Sequence, residues 1–113
     1  MHEASIAQGI IETVQGLKEE QGFHSLLTVS VRVGRLTAVV PDNLRFLYGV
    51  MVEETELVGS SLEIEVIPIT GRCRACNTTF EIDEPCFLCR QCRSPDVEIM
   101  TGRELEIASL EVE

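Results

Sequence analysis

Two cysteine pairs, Cys73-x-x-Cys76 and Cys89-x-x-Cys92, stand 12 residues apart in a chain of 113. Each Cys-x-x-Cys brings two sulfurs to one point at the tip of a tight turn. Two such turns can close a tetrahedral set of four thiolates, which suits Zn(II) at roughly 2.3 Å per sulfur. Spacing alone admits two other readings, a redox dithiol pair and a rubredoxin-like iron site. It also leaves the second pair open, because Cys86-x-x-Cys89 would serve as well as Cys89-x-x-Cys92. A metal closed by four thiolates has no free position, so the predicted role is to fold its loop and not to catalyse. Arg72, Arg74, Arg90 and Arg93 flank the cysteines. As cations they are expected to offset the formal charge of about −2 on such a centre.

The rest of the chain must supply a body on which this loop sits. A length of 113 residues makes one modest core that gains from a metal staple. The net charge of −10 argues against nucleic acid as a partner, since affinity for the phosphate backbone comes from clustered Lys and Arg. No apolar run reaches the roughly 20 residues needed to span a bilayer, and no basic leader opens the chain, so a cytoplasmic protein with reduced cysteines is expected.

Hydrophobic spacing predicts the elements. Ile6, Ile10, Val14 and Leu17 recur at helical intervals over 5–21, with Ser5-x-x-Gln8 as a capping box and Gly22 as a stop. Leu27, Val29, Val31 and Val33 alternate with polar residues as in a strand that ends at Gly34. Pro41-Asp42 opens a second helix carrying Leu44, Leu47, Tyr48 and Met51 on one face, with Gly49 costing it about 1 kcal/mol relative to Ala. Leu62, Ile64 and Val66 alternate with Glu63 and Glu65 in a second strand. Strand, helix, strand in this order predicts parallel neighbours joined by a crossover. From Glu104 to Val112, Leu105 and Ile107 are in one phase and Leu110 and Val112 in the other, which predicts a bulged last strand returning to the first sheet. The expected fold is therefore α+β or α/β. A small two-layer body, two helices on a three-stranded mixed sheet, would hold residues 1–70 plus 101–113, with a zinc-ribbon-like unit inserted over 71–100.

Met1-His2-Glu3 has its own chemistry if the chain starts there with a free amine. The α-amine of Met1, the amide nitrogen of His2 and its imidazole would close adjacent chelate rings, and Glu3 could supply a fourth donor. A planar nitrogen set suits Ni(II) or Cu(II). Judged on these residues alone, a solvated, frayed terminus is the commoner state, and copper outranks nickel in intrinsic affinity. His24, the only other histidine, sits in a connection and reads as a solvated surface residue.

Taken in order, Met1-His2-Glu3, Gly34-x-Leu36-Thr37, Pro41-Asp42-x-Leu44-x-Phe46, Gly59-Ser60-x-Leu62-x-Ile64, both cysteine pairs, Ser94 and Gly102-Arg103-Glu104-Leu105-x-Ile107 resemble the HypA/HybF family. The resemblance runs nearly end to end. It implies a nickel metallochaperone without enzymatic activity, binding transient Ni(II) at Met1, His2 and Glu3 and structural Zn(II) at Cys73, Cys76, Cys89 and Cys92. It aligns the Cys89–Cys92 pair with the family's second knuckle and leaves Cys86 outside it. The implied partners are the nickel-handling GTPase of hydrogenase maturation and the hydrogenase large-subunit precursor, with urease as an acceptor in some organisms. A homodimer is left open. The rival reading is a zinc-ribbon adaptor that binds proteins and transfers no metal.

Overall fold

The computed structural model describes residues 2–83 and 86–113. Helix α1 spans Glu3–Gln21. It starts two residues before the predicted position. His2 is its N-cap, in extended conformation, and its carbonyl accepts the Ile6 N–H at 3.2 Å. The expected capping box does not form: Ser5 and Gln8 lie inside the first turns, and Gln8 instead donates to Glu12 Oε1 at 2.9 Å. Glu3 and Ala4 favour the helical state, and an exposed first turn can leave its amides to water. Gly22 ends the helix in the left-handed region at φ 72°, its N–H bonded to the Lys18 carbonyl.

Strand β1 (Leu26–Gly34) lies at the centre of the first sheet, parallel to β2 (Ser61–Ile67) and antiparallel to β6 (Leu105–Val112). Helix α2 (Pro41–Met51) makes the crossover from β1 to β2, with Pro41 in its first turn where no amide hydrogen is required. Leu44 and Tyr48 are buried, and Leu47 and Met51 pack against the same core. The Tyr48 hydroxyl bonds Ser60 Oγ at 2.7 Å, and Ser60 in turn donates to the Leu57 carbonyl. The two-layer body therefore has the expected form. Its bulge falls in β6 as the phase slip required: Ser30 pairs with Ser109 but Val31 with Ile107, so Ala108 is extra and Ile107 and Leu110 both face the core.

Two strand details differ from the alternation. A second irregularity between Leu26 and Thr28 buries Leu26 and turns Leu27 out, 40% exposed. In β2 the pattern fails at Val66, which is 45% exposed, while Ile67 is buried. Strand β2 is an edge and twists more freely, while Leu27 lies at the start of β1, before its pairing with β2 begins at Thr28, so neither residue is clamped by neighbours on both sides.

Three short strands form the second sheet: β3 (Thr70–Cys73), β4 (Thr79–Glu81) and β5 (Val97–Thr101), antiparallel in the order β4-β3-β5. Among the described residues its hydrophobic core is Cys73, Phe80, Ile82 and Cys89, with Ile69, Val97 and Ile99 alongside. The two sheets make a long molecule of 53 × 25 × 16 Å. Among the described residues no helix is long and apolar enough to cross a membrane.

The chain enters and leaves the second sheet through one tight crossing. Gly34 donates to the Glu104 carbonyl at 2.7 Å and Leu36 to the Gly102 carbonyl at 2.8 Å. A Cβ on Gly34 would lie 2.0 Å from the Gly102 oxygen, and rigid backbone cannot give way there. Gly34→Ala is expected to destabilise the protein by roughly 1–3 kcal/mol, the usual cost of forced overpacking, read as a lowered urea midpoint.

Candidate metal centre

Both cysteine turns are built the same way. Cys73 ends β3, its N–H donates to the Thr78 carbonyl at 2.9 Å, and its own carbonyl accepts the Asn77 N–H at 2.8 Å. Cys89 repeats this with Ser94 and Arg93, both at 2.9 Å. In each turn the second cysteine points its amide back at the first sulfur: Cys76 N–H to Cys73 Sγ and Cys92 N–H to Cys89 Sγ, each at 3.4 Å. Gln91 adds a further N–H to Cys89 Sγ at 3.3 Å. Each turn closes through a left-handed residue, Asn77 at φ 64° and Arg93 at φ 62°. Neither position carries a clear signal in the sequence, since Asn tolerates that conformation but Arg rarely adopts it.

The repeat brings Cys73, Cys76, Cys89 and Cys92 together, with all four sulfurs within 4.8 Å of one another. Cys73 and Cys92 approach to 3.5 Å, Cys76 and Cys89 to 3.6 Å. A tetrahedron with metal–sulfur bonds of 2.3 Å has edges of about 3.8 Å, so the set fits Zn(II). Cys86 is exposed and is not one of the four.

The electrostatics show how such a centre is held. The Cys92 amide is the main cause that pulls the Cys89 thiol down to about 6. A hydrogen bond to the Thr78 hydroxyl is the largest influence lowering Cys76. For Cys92 the Ser94 amide lowers the thiol, but the neighbouring sulfur of Cys73, burial and the remaining thiols outweigh it and push it up to about 12. The crowded sulfurs thus favour thiolate at Cys89 and Cys76 and resist it at Cys92 until a cation replaces its proton. The flanking arginines do less than expected. Arg72 pairs with Glu98 at 3.0 Å, Arg74 with Asp96 at 3.0 Å and Arg90 with Asp83 at 3.8 Å. Their charge is largely spent on carboxylates, and backbone N–H groups serve the sulfurs instead.

At the other end of interest, Met1 lies outside the described residues, His2 is exposed, and Glu3 is the partly buried first residue of α1. The first four amides of a helix have no partner within it. Those of His2 and Glu3 therefore take no part in the helical ladder, which begins with the Ile6 N–H.

Four gathered cysteine sulfurs carried on a small α/β body define a protein built to hold a metal ion. The chain matches, over residues 1–112, the family model described as HypA, hydrogenase/urease nickel incorporation, metallochaperone. It is 41% identical over 114 residues to the hydrogenase maturation factor HypA of Desulfosudis oleivorans, covering 99% of this chain and 98% of that one. Its identity to the Chloroflexus aggregans protein of the same name is 39% over 112 residues, covering 98% of each. The solution structure of the Ni metallochaperone HypA from Helicobacter pylori shares the fold, with a TM-score of 0.69 at 24% identity over 99% of this chain and 97% of that one. A second HypA solution structure gives a TM-score of 0.74 at 23% identity, covering 100% and 97%. The chain belongs to the HypA family, and with it to the maturation factors of the metallochaperone class, which are not enzymes.

Proposed function

We propose that this protein is a nickel metallochaperone that takes Ni(II) as cargo at its start and delivers it for maturation of nickel-iron hydrogenase, with urease as a further acceptor. The cargo donors are the Met1 amine, the amide and imidazole of His2, and Glu3. The observation that carries this reading is the position of His2 as the N-cap of α1. Its amide and that of Glu3 stand outside the helical ladder, so both can lose a proton to a metal without breaking a backbone bond.

Cys73, Cys76, Cys89 and Cys92 hold the resident Zn(II), which gives up no position to substrate. Residues 71–100 fold around that ion as one unit, and residues 1–70 with 101–113 form the nickel-carrying body. The zinc supplies folding energy only. The protein works in the cytoplasm with two partners, the nickel-handling GTPase of hydrogenase maturation and the hydrogenase large-subunit precursor. Pull-down from a nickel-using cell, with the native start retained, is expected to recover both. Recovery of transcription proteins alone would favour an adaptor that transfers no metal.

A further inference from the structure

The helix layer of the body is narrower than the sheet beneath it. Two helices lie over three strands, and β6 is one of the two edges. Ile6, Gly9, Thr13 and Leu17 of α1 face Leu105 and Ile107 of β6 across an apolar groove of about 560 Å³. Leu105 is 40% exposed, and nothing lies within 4 Å of where a Gly9 Cβ would stand, so the groove is open above. Its wall follows one line of the helix at intervals of three and four residues. Extended one turn toward the N-terminus, that line reaches His2, whose carbonyl is bonded to the Ile6 N–H.

We infer that this groove receives an amphipathic helix of the protein that takes the nickel, with an apolar stripe turned to β6 and lysine or arginine on its flanks. Charge complementarity selects this occupant. Glu106 of β6 lines the groove, the exposed surface of α1 carries Glu12, Glu19 and Glu20, and the only basic residue in the helix is Lys18. A second copy of this chain would bring one acidic ridge against another, on molecules of net charge −10. A cationic helix instead fills the place of a third helix on the sheet, buries the Leu105 and Ile107 side chains, and brings its owner alongside His2. The inference rests on the nickel-delivery reading for its purpose, while the groove and its charge stand without it.

The test uses the full-length, zinc-loaded chain and a synthetic helical peptide with leucines on one face and lysines elsewhere. A matched peptide has glutamates in place of the lysines. The lysine peptide is expected to shift the amide resonances of Gly9, Thr13, Leu17 and Ile107, and to bind at least about tenfold more tightly than its glutamate counterpart. Gly9→Leu fills the groove where space is free, and Thr13→Arg puts a cation into it. Each should weaken the lysine peptide at least about tenfold, with zinc content and nickel affinity as in the native chain. Equal binding of both peptides, or shifts confined to the outer edge of β6 as for an added strand, would overturn the inference. So would self-association through the groove that Gly9→Leu abolishes. Peptide binding by a chain that takes up no nickel would sink the delivery reading and leave the docking groove in place.

Discussion

Adding a few residues before Met1 is expected to lower Ni(II) affinity by more than about 100-fold while leaving zinc content and the amide spectrum of the body unchanged. Even partners that only orient a metal's ligands are worth 10–100-fold in affinity, and the extension removes a donor outright by turning the Met1 amine into an amide. His2→Ala should do comparable damage by removing the imidazole and its chelate ring. In the proposed site, the start of α1 would require the metal to be met by deprotonated nitrogens. The positive end of the helix dipole opposes a bare dication, and a cation with two ionised amides carries no net charge into that field. Binding therefore releases protons. Affinity rises with pH and falls in acid, which gives a route to release. Isothermal titration of the native, extended and His2→Ala chains at two pH values checks all of this. If the extended chain binds nickel as tightly as the native one, side chains elsewhere hold the cargo.

Removing zinc with a chelator is expected to unfold residues near 71–100 and spare the body. Among the described residues the second sheet buries only four hydrophobic side chains, two of them cysteines, against strands of three to five residues. Such a core cannot offset its chain entropy, whereas apparent zinc binding energies in small peptides run to roughly 10–16 kcal/mol. The first sheet keeps its helices and a core of fourteen buried residues. Amide exchange on apo and zinc-loaded protein should show protection lost in β3, β4 and β5 and kept in β1. Cys89→Ser should lower zinc content sharply, because that sulfur is 1% exposed and accepts two amides. Cys86→Ser should leave zinc content unchanged. An ordered metal-free ribbon, or equal loss from both substitutions, would overturn the assignment.

The sequence determined by itself whatever depends on local spacing. Periods of 3.6 and 2 placed α1, β1, α2 and β2, and the phase change after Ile107 placed the bulge at Ala108, because a strand with one buried face cannot change phase without an extra residue. The two Cys-x-x-Cys pairs announced a metal centre because thiolate pairs at that spacing have few other uses. Tertiary structure decided the rest. Spacing could not choose between Cys86 and Cys92, whereas the fold gathers the Cys92 sulfur with those of Cys73, Cys76 and Cys89 and leaves Cys86 out of the cluster. Arginines beside the cysteines looked like counter-charges until the fold set carboxylates from β5 and its approach against them. The capping box at Ser5 was locally sound, but the helix ran on to Glu3, since an exposed first turn gains little from ending two residues later. The open strip over β6 is invisible in the chain, because it depends on how many helices cover how many strands, and neighbours brought together across a hundred residues leave no periodic mark.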